Sequence, residues 1–391
     1  MKKVVFLMII ILLGALYLNY NDSGLDDVSS NDDMMKAVFI SYIDYSSLKG
    51  KEVMEQKNII NEMVHNVSYF GFDTVILQVR AFSDAIYDSS YYPMSSVVSY
   101  DKDGKAFDIL SYFISVCDMN NISLYAWVNP YRISNTNDVS KIDKNASYYK
   151  WLNTSLIGVF DNGIYLNPAS SDVKDLIVSG VVEIASNYNV KGILFDDYFY
   201  PNDMIDLDSY ELYKGNLSLE EYRVFNVNDL LKRCYDSIKE VNKDVFFGIS
   251  PAGNIDDNLS SRYLDIKGIL NDKYLDFIIP QLYYGFLNES KPYTKTLEEW
   301  SSINVNNIDL YVALSIYKSG MVDSYAGKGV NEWINNSDII KRQVISSKGV
   351  KNYKGFAVFR YQYIFEMFDN DNLVKEVSGL REVINDYWFL M

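Results

Sequence analysis

The sequence predicts an α/β fold, a single (β/α)8 (TIM) barrel with long βα loops, on three observations. Short apolar runs with strand character alternate eight times with helix-period segments. Several runs are apolar on consecutive residues, as expected of strands covered on both faces in a parallel sheet. The links that follow the runs are long and those that precede them are short, so the elaboration falls on the C-terminal face of the strands, where such barrels keep their chemistry.

Taken in order, residues 1–20 carry two lysines and then an unbroken apolar run over 4–18. That layout reads as a signal peptide or, since no small-x-small cleavage site follows, as an uncleaved membrane anchor. Residues 21–35, rich in Asn, Asp and Ser, read as a flexible tether, and 36–391 as the barrel. Strands are predicted at 37–45, 74–81, 123–130, 192–199, 245–250, 275–284, 310–317 and 355–363. Helices are predicted near 51–69, 106–119, 171–188, 219–240, 261–271, 294–302, 335–348 and 371–387. The short links are 70–73, 120–122, 189–191, 242–244 and 272–274; the long ones include 82–105, 131–170, 200–218 and 318–334. Neither G-x-G-x-x-G nor a P-loop occurs, which disfavours a doubly wound nucleotide-binding sheet and a phosphate-handling barrel.

Composition narrows the function. Of 391 residues, 48% are hydrophobic and 23% charged, a globular balance. The net charge of -16 argues against nucleic-acid partners and against electrostatic attachment to anionic lipid, leaving membrane contact to the N-terminal segment. The 34 tyrosines supply flat faces suited to sugar rings. Two cysteines, Cys117 and Cys234, rule out a disulfide scaffold, and one histidine, His65, mid-helix, leaves no His-based triad or zinc pattern. No cofactor or metal is implied, and a monomer is expected.

The chemistry concentrates at the fourth predicted strand, where Ile193-Leu194-Phe195 runs into Asp196-Asp197-Tyr198. Asp residues there can merely cap a turn, but paired carboxyls at the end of a barrel strand are also where catalysis is placed. Residues two apart on a strand share a face. At that spacing the strand ends carry Tyr42 with Asp44, Gln78 with Arg80, Trp127 with Asn129, Asp196 with Tyr198, Gln281 with Tyr283, and Arg360 with Gln362; Ser250 ends the fifth strand. Such a rim suits a polyhydroxylated ligand. Trp127, Tyr198, Tyr283 and Tyr284 would stack, and Gln78, Arg80, Asn129, Arg132 and Gln281 would hydrogen-bond. Asp84, Tyr200, Ser250, Asp44 and Arg360 complete the candidate contacts. Glycoside hydrolysis fits two carboxyls in this setting, one donating a proton and one acting as base or nucleophile. Asp196 and Asp197, as neighbours, should diverge, with one facing substrate and the other held by Arg80 or Arg132 or binding a sugar hydroxyl.

Several long motifs resemble the glycosyl hydrolase-like 10 family (DUF187): Phe70-Gly71-Phe72-Asp73 through Gln78-Val79-Arg80, Ala126-Trp127-Val128-Asn129-Pro130-Tyr131-Arg132, Leu166-Asn167-Pro168, the 195–201 stretch, Gly248-Ile249-Ser250-Pro251, and Ile279-Pro280-Gln281-Leu282-Tyr283. They occur in the family's order across 36–365. The resemblance implies a TIM-barrel glycosidase, exported or lipid-anchored in bacteria, with cell-wall (peptidoglycan) glycan strands as substrate. Lys36, Phe39 and Ala252 depart from the residues the family tends to hold there. The competing reading is a non-catalytic barrel that binds glycan and positions cell-wall enzymes, since fold alone does not define function.

Overall fold

A computed structural model describes residues 34–368 and 370–385. The leader, and the tether up to residue 33, lie outside the described residues. Among the described residues no helix is long and apolar enough to cross a membrane.

Eight parallel strands close into a barrel in the order β1 (Met35–Ile40), β2 (Thr74–Arg80), β3 (Ser123–Val128), β7 (Gly192–Phe195), β8 (Phe246–Ile249), β9 (Phe277–Ile278), β10 (Asp309–Ser315) and β11 (Tyr353–Phe359), which pairs back with β1. Helices follow the strands, among them Val53–Phe70, Ile109–Met119, Ser171–Asn187, Leu219–Val241, Tyr293–Ile303, Ile339–Ser347 and Asp371–Asn385. The predicted alternation is therefore observed. The boundaries differ chiefly at the C-terminal ends of the strands, which stop earlier than their apolar runs. The runs continue because several residues beyond the last ladder bond, among them Tyr45, Ala81 and Phe199, remain buried.

The long 131–170 link is not plain loop. It folds into a three-stranded antiparallel sheet of β4 (Arg132–Ser134), β5 (Ile157–Phe160) and β6 (Gly163–Leu166), with β6 central.

Inside the barrel, Met35, Phe39, Ile76, Tyr125, Trp127, Leu194, Phe277 and Ile279 form the core, with Tyr311 and Phe359 against it. Large rings are accommodated by missing side chains: a Cβ on Gly192 would meet the Tyr125 ring, and one on Gly248 the Phe277 ring. This packed floor carries the cleft above it.

Candidate active site

The cleft lies at the C-terminal end of the barrel, over Phe39, Trp127, Leu194 and Phe359. Asp196 and Asp197, the first residues past β7, both line it. Asp196 is only 4% exposed. Its Oδ2 accepts hydrogen bonds from Trp127 Nε1 at 3.0 Å and Asn129 Nδ2 at 3.1 Å, and its Oδ1 from the Tyr198 amide at 3.3 Å. Burial, and then the neighbouring Asp197 charge, raise its pKa from 3.8 to about 7; Arg132 and the hydrogen bonds only partly oppose them. The Asp197 side chain turns away to Arg262, whose Nη2 lies 3.3 Å from its Oδ2 and whose Nε donates to its carbonyl at 3.1 Å. The neighbours diverge as the sequence suggested, but the holding arginine is neither Arg80 nor Arg132. Arg262 ends the helix Ile255–Arg262 in the loop after β8, a position the strand-end pattern could not signal.

Of the other candidates, Gln78, Trp127, Arg132, Tyr198, Ser250, Gln281 and Tyr283 line the cleft. Gln78 Oε1 accepts from the Tyr42 amide at 3.1 Å. Arg132 opens the small sheet; its Nε donates to the Ala81 carbonyl at 3.2 Å, and its guanidinium lies over the Phe82 and Tyr198 rings. Ser250 donates to the Ile279 carbonyl at 2.8 Å, and Gln281 Nε2 to the Ser250 carbonyl at 3.0 Å. Tyr284 lies further along, beyond Tyr283. Asn129 does not line the cleft. It is fully buried, supports Asp196, and accepts from the Arg132 amide at 3.0 Å, which links the two.

Five candidates lie elsewhere. Period-two spacing places Arg80 beside Gln78, but the β2–β3 register shifts between these two residues. The bulge turns Arg80 outward, where it is 1% exposed beneath helix Ser171–Asn187 with its guanidinium 4.0 Å from the Tyr92 ring centroid. Asp44 is not on a strand, because β1 ends at Ile40. It folds back to accept from the Ser41 amide and hydroxyl at 2.7 and 2.6 Å and forms a buried ion pair with Arg360 at 2.6 Å. That pair joins the loop after β1 to the residue after β11, beneath the rim and outside the cleft lining. Tyr200 is buried, donating to Asp206 Oδ2 at 2.7 Å beside Arg223. Asp84 accepts from the Phe82 amide at 3.2 Å and also lies outside the cleft lining.

Ser41, Tyr42, Ile43 and Phe359 line the cleft without having been singled out as ligand contacts. Tyr42 had been noted at the first strand end, and two-residue spacing from Phe39 along β1 could have found Ser41. Phe359 offered no polar signal.

A (β/α)8 barrel with a buried, high-pKa carboxyl in an aromatic- and amide-lined cleft is of the glycosidase type. The chain belongs to the glycosyl hydrolase-like 10 family, whose sequence profile matches residues 34–328. It is 30% identical to glycosyl hydrolase YngK of Bacillus subtilis over 320 residues, covering 74% of this chain and 62% of that one, so it spans about six tenths of that relative's length. It is 27% identical to glycosyl hydrolase DigH of Escherichia coli over 361 residues, 83% of this chain and 80% of that one. In fold it is similar to the PgaB (BpsB) glycoside hydrolase domain of Bordetella bronchiseptica, with a TM-score of 0.57 at 13% identity, covering 90% of this chain and 99% of that one.

Proposed function

We propose that this chain is a glycoside hydrolase that cuts a polysaccharide, bacterial cell-wall glycan strands in particular, with Asp196 and Asp197 as its two working carboxyls. The carrying observation is Asp196, a buried carboxyl with its pKa raised to about 7 at the floor of an open cleft. Such a group holds a proton close to neutral pH and can give it to a departing glycosidic oxygen. The Asp197 carboxylate, fixed by Arg262, supplies the negative charge that an oxocarbenium-like transition state requires. Trp127, Tyr198 and Tyr283 offer ring faces, and Gln78, Gln281 and Arg132 offer polar edges. Family membership supports the reaction class, and the relatives YngK and DigH both carry the name glycosyl hydrolase. The N-terminal apolar run supports action outside the cell, secreted or held at the outer face of the cell membrane.

The test is incubation of the purified protein with peptide-free peptidoglycan strands, intact sacculi and chitin-type oligomers, with mass spectrometry of released sugars. Cleavage of one substrate, abolished in both Asp196→Asn and Asp197→Asn, is expected. Strands that bind without being cut would make the barrel a glycan-holding module and refute the catalytic assignment.

A further inference from the structure

The cleft does not end at the two carboxyls. Asp197, Gln281 and Tyr283 form a wall shared with a second cavity, built by the loops after β8, β9 and β10. Tyr284, Tyr317 and Tyr325 line this second cavity, as do Asn288, Lys291 and Asp257. It is polar, aromatic and contiguous with the carboxyl site.

Tyr325 is 92% exposed, an unusual state for an aromatic side chain on a well-anchored loop. The backbone on either side is pinned. Asp323 is buried, accepts from Lys318 Nζ at 2.8 Å, and its amide donates to the Val330 carbonyl at 3.0 Å. Ala326 is buried, and its carbonyl accepts from the Glu289 amide at 3.0 Å. Lys318 also donates to the Tyr283 carbonyl at 2.8 Å, tying this loop to the shared wall. Behind it, buried Glu332 accepts from the Phe286 and Leu287 amides at 3.0 and 2.8 Å and fixes the loop after β9. The fold therefore orders the backbone that carries this phenol ring, which stands in water at the edge of the cavity, so that part of the ordering cost is met in the free protein. A ring presented in this way is suited to stacking on the apolar face of a pyranose.

We infer that the second cavity is a distal sugar subsite with Tyr325 as its platform, so that the cleft takes an internal segment of a glycan chain with units on both sides of Asp197. The inference rests on the glycosidase reading for its reaction, but not for its binding claim. Substrates long enough to reach Tyr325 gain from it, and short ones do not.

The experiment compares the full-length protein, Tyr325→Ala and Tyr325→Phe on a short aryl glycoside, on glycan oligomers of increasing length, and in direct glycan binding by calorimetry. Tyr325 is solvent-exposed, and its removal leaves the loop anchors intact. The expected result is about a tenfold loss in kcat/KM for Tyr325→Ala on long oligomers, equivalent to about 1.4 kcal/mol. The aryl glycoside should be turned over unchanged, Tyr325→Phe should behave as wild type, and long oligomers should yield internal fragments. Equal effects on short and long substrates, no effect on either, or release of terminal sugars alone would overturn the inference. If the wild type cuts nothing, the glycosidase reading fails, and calorimetry decides the subsite separately. Weaker glycan binding by Tyr325→Ala than by wild type then sustains it, and equal binding refutes it.

Discussion

Replacing Asp196 by Asn should stabilise the protein at neutral and alkaline pH while abolishing turnover. The Asp196 pKa is raised from 3.8 to about 7, about three pH units. At 1.36 kcal/mol per unit, this is about 4 kcal/mol of differential stability. Its sign follows from proton binding. Between these two values the folded state holds a proton that the unfolded state has lost, so stability falls as pH rises from about 4 to about 7 and stays low above that. Asn cannot ionise and escapes the loss. Its amide oxygen can still accept from Trp127 and Asn129, but its NH2 then faces the Tyr198 amide, forfeiting one hydrogen bond worth about 1 kcal/mol. The net gain at pH 8 should be on the order of 3 kcal/mol and should turn, at and below about pH 4, into a loss of up to about 1 kcal/mol, the cost of the forfeited hydrogen bond. Urea unfolding at pH 4, 5, 6, 7 and 8 reads it directly. Glu376, also raised to about 7, contributes equally to both proteins and cancels from the difference. Parallel stability-versus-pH curves for the two proteins would refute the reasoning, because they would mean that the Asp196 carboxyl is not strained by ionisation.

Other outcomes follow from the same contacts. Arg132 opposes the upward shift of Asp196, so Arg132→Met should move the alkaline limb of kcat/KM upward by about one pH unit, and Asp197→Asn should move the Asp196 titration downward, read by carboxyl infrared bands. Arg360→Met leaves Asp44 buried without its cation and should cost about 3–5 kcal/mol in denaturant unfolding. Gly180→Ala places a Cβ against buried Arg80 and Tyr92 and should destabilise by about 1–3 kcal/mol. Alanine's helix-propensity advantage over glycine, about 1 kcal/mol, cannot offset the larger part of that range. A rise in melting temperature for Gly180→Ala would contradict the packing described around Arg80.

How far the sequence could be read depended on the kind of signal. The barrel was legible because strands buried on both faces must be apolar throughout, and their spacing survives errors of two or three residues at the ends. Asp196, Trp127 and Asn129 were legible because β3 and β7 are hydrogen-bonded neighbours with Trp127 opposite Leu194, which brings their C-terminal ends together. Arg80 was misplaced by one bulge, which inverts the face that every later residue presents. Asp44 and Arg360 were misplaced because each lies past its strand, where alternation no longer applies. Each finds the other across 316 positions of sequence, a pairing no local pattern encodes. Arg262 and the small sheet after β3 belong to loops whose conformation is set by tertiary hydrogen bonds rather than by periodicity.

The Asp44–Arg360 pair also bears on synthesis. One wall of the cleft, Phe359, lies on the last barrel strand, and the turn that shapes the adjoining wall at Ser41 is latched to the residue immediately after it. β1, the first strand of the barrel in sequence, has no partner on one side until β11 arrives. A nascent chain carrying both aspartates but lacking β11 therefore has neither the complete cleft nor the latch. Ribosome-bound intermediates should lack the complete cleft, and with it any glycan binding there, until about residue 360 has emerged.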